Sequence, residues 1–321
     1  MSKPSLLSVF FLCVCLSLGV RAQDFPNKAI TLVVPYPPGG SNDVFARNVG
    51  KELAELLKQP VVIDNKPGAS GTTGTAMVSR APADGYTLVV VSSSMTTNTA
   101  IQKGANAFDP VRQLTPVAML AEGPMLVAVN PDFPAKTPQE LISAIKAKPG
   151  ALNYGSSGPG SINQFGTEQL KAMAGLQLTH VPYRGMNPAV TDLIGGQIQI
   201  IMASGPSLLP MIRAGRIRAV GITSPKASAI APELMPMASA VPGYEFSLWW
   251  GLFAPAGMPA AIVQRLNQAI NQVLLKPTIK QMFLNEGAEV KPLSAEQFAD
   301  VLKADIARAR AIANKQGIVG E

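Results

Sequence analysis

The sequence is poor in the side chains that most often carry catalysis and metal binding. Its 321 residues contain two cysteines and a single histidine, His180. Both cysteines, Cys13 and Cys15, lie in an N-terminal segment that we expect to be removed, which leaves the mature chain without disulfides or thiolates. This shortage excludes Cys/His catalysis and argues against a zinc site of the usual Cys/His type. We therefore predict neither a metal nor a cofactor.

Charged and aromatic residues are also scarce, at 15% and 6% of the chain. The formal net charge is +7, but lysine and arginine are scattered rather than clustered, so a nucleic-acid groove is not predicted. A mild positive excess suits a small anionic ligand, and solubility alone would also explain it. No pair of carboxylates stands out as a general acid and base, which favours a binding protein over an enzyme.

The first 22 residues have the features of a secretory signal peptide. Lys3 precedes an apolar stretch from Leu6 to Leu18, and the small-residue site Val20-Arg21-Ala22 follows. This stretch is shorter than the roughly 20 residues that a membrane-spanning helix needs. A lipoprotein anchored at Cys15 is the alternative, although Val14 fits that motif poorly. We expect export with cleavage after Ala22.

Short β-branched runs alternate with amphipathic stretches along the rest of the chain, which is typical of α/β proteins with mainly parallel sheets. The predicted strands cover 29–34, 61–65, 87–91, 125–129, 153–155, 178–181, 198–202, 217–222 and 248–254. The predicted helices cover 43–57, 72–80, 138–146, 164–173, 187–194, 206–214, 259–275 and 295–315.

Two domains without a flexible linker are expected, because no disordered segment separates the strand and helix series. The apolar runs 117–128 and 244–254 are candidates for segments that pass from one sheet to another. We predict a first domain made of 23–120 and 245–321 and an inserted second domain made of 121–244. A mature chain of roughly 300 residues is long enough to bury two cores.

The last predicted helix has one apolar and one polar face. The apolar positions are 298, 301, 302, 306, 309 and 312, at helical spacing. Asp300, Lys303 and Asp305 fall on the other face, where we expect solvent. Ser294 and Gln297 have the spacing of a capping box. We interpret this element as a packing helix.

The stretch PYPPGGSND at 35–43 predicts an anion site. Pro37 keeps the chain extended, while Gly39 and Gly40 allow a tight turn directly before a helix. The unpaired N–H groups of the first turn then point out of the sheet edge, beside the positive end of the helix dipole. Ser41 and Asn42 can add donors, and Asp43 is expected to cap its own helix. The alternative is a turn that serves packing only; Walker and dinucleotide motifs are missing here.

Two further polar loops follow predicted strands and join the candidate site. Because ligands of doubly wound sheets collect at the carboxyl ends of strands, loops from both domains should face one cleft. The predicted residues in these loops are Ser92, Ser93, Ser156, Ser157, Gly160, Ser161 and Gln164. His180 ends an apolar strand, and we interpret it as a hydrogen-bonded core or rim residue.

Several long blocks, in order, resemble one known family. FPNKAITLVVPYPPGGSNDVFAR, QPVVIDNKPGASGTTGTAMVSRAPADGYTLVV, LNYGSSGPGS and HVPYRGMNPAVTDLIGGQ are similar to the Bug family of periplasmic solute-binding receptors, of the tripartite tricarboxylate transporter type. The resemblance implies a two-domain, type II-like periplasmic-binding-protein fold that closes on a carboxylate held by loops 37–43 and 156–161. Arg184, which favours negatively charged groups, and the positions Ala203 and Ser204 complete the candidate set.

The chain departs from the family pattern at positions that bear on ligand charge. Gln199 and Ala203 stand where the family usually has acidic residues, and Gln164 stands where it usually has histidine. An ammonium group buried in a cleft needs an acidic partner, so we predict a carboxylate without an amino group. Asp192 or Glu122 could supply that partner from another direction.

The resemblance implies a monomer that hands its ligand to the permease subunits of a membrane transporter. Two alternatives stay open, namely a carboxylate receptor for a signalling partner and, less favoured, a cofactor-free enzyme. Closure about a hinge is the expected mechanism, because anion contacts from both domains coexist only in the closed state.

Overall fold

A computed structural model describes residues 25–102, 107–228 and 230–319, and the predicted signal peptide and its cleavage site lie outside this part of the chain. The strands are β1 (Ile30–Val34), β2 (Val61–Asn65), β3 (Thr87–Ser92), β4 (Leu114–Val129), β5 (Asn153–Ser156), β6 (Thr179–Pro182), β7 (Ile200–Ser204), β8 (Arg218–Ile222), β9 (Ser247–Pro255) and β10 (Glu289–Val290). Every predicted strand is present, with its ends shifted by a few residues; the predicted strand 125–129 is the last part of the longer β4.

The helices surround these strands. They are α1 (Ser41–Leu57), α2 (Thr72–Ser79), α3 (Ser94–Ile101), α4 (Pro110–Gln113), α5 (Pro138–Ala147), α6 (Ile162–Ala174), α7 (Met186–Ile194), α8 (Gly205–Arg213), α9 (Ala260–Leu274), α10 (Pro277–Asn285) and α11 (Ala295–Gln316), with 3-10 turns at Ala69–Gly71 and Met237–Ser239. Three helices, α3, α4 and α10, were not predicted. α3 lacks an amphipathic pattern because nearly all its residues are buried, including its threonines.

Strand β4 joins two sheets. In the first sheet, β2, β1 and β3 run parallel, and β9 lies antiparallel between β3 and the beginning of β4. In the second sheet, β7, β5 and β6 run parallel, and the end of β4 (Met125–Val129) pairs antiparallel with β7 and β8. β4 thus changes pairing partners between Pro124 and Met125, inside the segment 117–128.

The chain returns to the first sheet just before β9. Phe246 N–H donates to Thr223 O beside β8, and the pairing with β4 begins at Ser247. The second crossing thus falls within the predicted segment 244–254. We propose the domain limits 23–120 with 245–321, and 121–244, because the two crossings, after Pro124 and before Ser247, lie within a few residues of these limits.

Helix α11 begins as predicted, with the capping box of Ser294 and Gln297. Its polar face is not wholly exposed, however, since Asp305 is only 7% exposed. Asp305 accepts hydrogen bonds from Thr96 Oγ1 at 2.6 Å and Trp249 Nε1 at 3.0 Å, and it pairs with Arg308. The expectation of a solvent-exposed Asp305 is wrong, because α11 packs against α3 and β9 with this carboxylate between them.

Candidate functional site

The first turns of five helices meet at one small pocket between the loops of the two sheets, which we call the inner pocket. These helices are α1, α3, α6, α7 and α8, and the pocket has a volume of about 70 Å³. Its lining residues are Tyr36, Pro37, Gly40, Ser41, Asn42, Ser92, Ser94, Ser157, Ile162, Asn163, Gly185, Met186, Asn187, Pro188, Ser204, Ser207 and Leu248. None of these residues carries a charged side chain.

The loop after β1 is held in shape by Asp43. Helix α1 begins at Ser41 with Gly40 as its N-cap, so the expectation that Asp43 caps the helix is wrong. Its carboxylate instead accepts from Gly39 N at 2.9 Å and from Asn65 Nδ2 at 3.0 Å, and it pairs with Arg47 at 2.9 Å. Asp43 therefore supports the turn from behind, and the pocket side is left to Gly40, Ser41 and Asn42.

Asp43 should make part of the stability depend on pH. Burial acts to raise the pKa of this carboxyl, but the bonds from Arg47, Gly39 and Asn65 outweigh it, and the pKa lies below its usual value. The unfolded chain then binds the proton more readily, so the contribution is complete above the unfolded value of about 3.9 and is lost as pH falls through the folded pKa. We expect Asp43→Asn to flatten the acid limb of a urea-unfolding series. An unchanged acid limb would contradict this assignment.

Ser41 and Asn42 face the pocket in different ways. Ser41 Oγ accepts from the buried indole Nε1 of Trp250 at 3.1 Å, which fixes the hydroxyl. Asn42 is only 6% exposed, and its Oδ1 is a buried acceptor that has no hydrogen-bond partner in the described part of the chain. An unpaired buried acceptor is costly to the fold.

In the loop after β5, one serine supports the loop and another lines the inner pocket. Ser156 Oγ lies 2.6 Å from His180 Nε2 and accepts from Gly158 N, so it braces the loop and does not line the pocket. Ser157 does line it, and its hydroxyl donates to Asn163 Oδ1 at 2.7 Å. His180 is the hydrogen-bonded residue that was predicted, and burial lowers its pKa.

Ser161 and Gln164 cap the start of α6 through hydrogen bonds with each other and with Gly160. Ser161 Oγ accepts from Gln164 N, and Gln164 Oε1 accepts from Gly160 N at 2.8 Å. Gly160 has a φ of +73°, and an added Cβ would collide with Asn98 and Ile101 of α3. These three predicted residues therefore form a helix cap and a contact between α6 and α3, and they are not among the lining residues.

The remaining predicted residues fall into two groups. Ser92 and Ser204 line the inner pocket, as predicted. Ser93 exchanges hydrogen bonds with the backbone of Trp249, and Ala203 packs in the hydrophobic core beneath the pocket. Gln199 bonds to Asn153 N and Gly196 O at the start of β7, so it does not reach the pocket either.

Several lining residues were missed by sequence reasoning. They are Tyr36, Ile162, Asn163, Gly185, Met186, Asn187, Pro188, Ser207 and Leu248. Tyr36 lies inside the singled-out stretch PYPPGGSND, and burial raises its pKa to about 12 against a smaller opposite effect of Ser94 and Ser92. It therefore stays protonated and donates to Ser70 O at 3.1 Å. The others come from chain segments that only the fold brings together.

Loops of the two sheets touch around the pocket. Ser70 Oγ donates to Pro159 O at 3.1 Å, and Asn187 Nδ2 donates to Pro38 O at 3.3 Å. Ile162 N donates to Ser94 Oγ at 3.3 Å. These contacts surround the pocket with groups from both halves of the chain.

The described residues contain neither a metal-binding cluster nor a membrane-spanning helix. No group of three or more His, Cys, Asp or Glu side chains there is arranged to hold a metal ion. Within the same residues, no helix has the length and apolar character needed to cross a membrane.

Two α/β sheets joined by crossing segments, with a pocket between their loops, are typical of two-domain periplasmic binding proteins. The chain belongs to the family described as "Tripartite tricarboxylate transporter family receptor", whose model matches residues 45–318. The resemblance to Bug receptors is confirmed, since Protein BugT of Bordetella pertussis is 31% identical over 98% of this chain and 97% of its own.

Solved structures of similar proteins have the same fold. R. palustris Rpa4515, solved with adipate, is 34% identical with a TM-score of 0.89 and covers 92% of this chain and 99% of its own. MatC from Rhodopseudomonas palustris, with bound malate, is 30% identical with a TM-score of 0.83 and covers 90% and 99%. The protein is thus a solute-binding receptor and not an enzyme.

Proposed function

We propose that this receptor works in the periplasm, captures a small organic carboxylate between its two domains, and delivers it to the permease subunits of a tripartite tricarboxylate-type transporter. The convergence of five helix N-termini on an uncharged pocket carries this proposal. Unpaired first-turn N–H groups and helix dipoles favour an anion, each dipole by about 0.3–1 kcal/mol at an exposed site. Hydroxyl and amide groups of the lining residues add donors.

The same lining disfavours a ligand with an ammonium group. The sequence-based reason rested on Gln199 and Ala203, which do not reach the pocket, but the structure supplies a different one. No lining residue of the inner pocket is acidic, and Asp43 already pairs with Arg47. A buried ammonium without a partner costs several kcal/mol, roughly as in other unpaired buried charges. We therefore keep the prediction of an amino-free carboxylate.

Relatives and sequence features support the other parts of the proposal. Adipate and malate, bound by two similar proteins, are both amino-free carboxylates. The family description supports delivery to a transporter, and the N-terminal sequence supports export with cleavage after Ala22. We propose that the receptor acts as a monomer and closes about a hinge formed by the two crossing segments.

Calorimetry on the unfolded and refolded, ligand-free protein tests this function. We expect heat of binding from members of a dicarboxylate panel that includes adipate and malate, and none from aspartate, glutamate or the diamides of the same acids. The diamides are the matched control, because they keep the shape and remove the charge. Tight binding of an amino acid, or equal binding of a diamide, would overturn the proposal.

Tryptophan emission offers a second readout of the same event. Trp250 donates to Ser41 Oγ on the pocket wall, so its environment should change when a ligand reaches Ser41. The emission change should persist in Trp249→Phe and disappear in Trp250→Phe.

A further inference from the structure

A second and larger cavity opens from the inner pocket toward the surface, and we call it the outer chamber. Its volume is about 640 Å³, and it shares Tyr36, Pro37, Ser157 and Gly185 with the lining of the inner pocket. The shared residues place the two cavities side by side. A ligand held in the inner pocket can therefore extend into the outer chamber.

The inner pocket is too small for a whole elongated ligand. One water needs about 10–15 Å³ of such volume, so the inner pocket at about 70 Å³ holds a carboxylate and a few further atoms. The rest of a longer molecule must lie in the outer chamber. Pro35, Pro67, Pro159 and Tyr183 line that chamber with apolar surface, which suits a hydrocarbon body rather than a polar one.

Arg184 is the single charged residue in the linings of both cavities. It is exposed, and it takes part in none of the ion pairs found among the described residues. It directly precedes Gly185, which lies at the start of α7, so one short loop borders both cavities. A free guanidinium at this place is available to a carboxylate, which it can bind through two parallel hydrogen bonds.

We propose that Arg184 binds the second carboxylate of an elongated dicarboxylate, whose first carboxylate lies in the inner pocket and whose apolar spacer lies against the prolines and tyrosines of the outer chamber. This inference rests on the proposed function, because it assumes a carboxylate in the inner pocket. It adds Arg184 as the specificity-determining residue, which favours two acidic groups separated by a hydrocarbon chain over a single acidic group.

Paired ligands test the proposal. The α,ω-dicarboxylates from succinate to suberate are titrated beside the monocarboxylates of equal length, so that adipate is compared with hexanoate. We expect the best dicarboxylate to bind about tenfold more tightly than its monocarboxylate, the usual size of a charge-assisted hydrogen bond. Arg184→Gln should abolish that difference, while Arg184→Lys should restore part of it.

A matched surface variant distinguishes a direct contact between Arg184 and the ligand from a general effect of positive charge on affinity. Arg216 is also exposed but lines neither cavity, so Arg216→Gln should leave the difference between the paired ligands intact. Equal affinities for dicarboxylates and monocarboxylates, or an Arg184→Gln variant that keeps the difference, would overturn the role of Arg184 and leave the proposed function standing. Absence of binding by every acid in the series would overturn both.

Discussion

Gly40→Val should cost most of the ligand affinity while the fold stays nearly as stable as before. A Cβ at Gly40 meets only Pro37 O, at 3.9 Å, and the residue lines the inner pocket at the N-cap of α1. Its φ of −81° and ψ of 170° are open to any residue, so valine brings no backbone strain. The isopropyl group occupies space that the ligand needs, and crowding of this kind costs about 1–3 kcal/mol, or roughly tenfold to hundredfold in Kd.

Calorimetry and urea unfolding together check this prediction. Gly195→Val is the matched control, since Gly195 is exposed at the end of α7, has a φ of −77°, and offers a new Cβ only ordinary contact with Thr191 O at 3.6 Å. The control should change neither Kd nor the urea midpoint. Unchanged ligand affinity in Gly40→Val would show that the ligand lies elsewhere.

Asp305→Ala should produce the largest loss of stability among the changes considered, about 3 kcal/mol. The substitution removes the acceptor of the buried Trp249 Nε1 and the partner of Arg308. Thr96 also loses this acceptor, although its hydroxyl lies 2.6 Å from Ser93 O and can turn there. Since Ser94 begins α3 and lines the inner pocket, the loosened contact between α11 and α3 should also weaken ligand binding.

Asp300→Ala on the same helix is the control for this effect. The side chain of Asp300 is 80% exposed and pairs with Lys303 at 3.7 Å, so its loss should change stability by less than about 0.5 kcal/mol. Asp305→Asn keeps an acceptor for the Trp249 indole, so its stability should lie between those of Asp305→Ala and Asp300→Ala. If Asp305→Ala and Asp300→Ala unfold at the same urea concentration, the buried carboxylate contributes nothing to the packing of α11.

The alternation of strands and helices could be predicted because burial against a sheet leaves a local periodic pattern. Helix α3 shows where that pattern fails. Its serine and threonines are polar, yet they are buried, because hydroxyls such as those of Thr97 and Thr99 donate to carbonyls of their own helix. A polar helix without an exposed face has no periodicity to find.

The candidate site was predicted in location more than in detail. The glycine turn before α1 and the serines after β5 mark strand ends, and strand ends are local features of the sequence. Asp43 does not cap its helix and Ser161 does not line the pocket, contrary to prediction, because a carboxylate or hydroxyl at a helix start has several possible partners. Asp43 bonds to Arg47 and Asn65, and Ser161 bonds to Gln164. The choice among these partners depends on the folded neighbourhood.

The sequence by itself determined the α/β class, the family, the glycine turn of the first loop and the lack of Cys/His chemistry, since these depend on residue types and on spacing along the chain. The tertiary structure decided the order of the strands, the passage of β4 between two sheets, and the meeting of five helix N-termini around one pocket. It also placed Arg184 on the outer chamber beside that pocket. These features join residues far apart in the chain, and such contacts follow from packing and not from any local pattern.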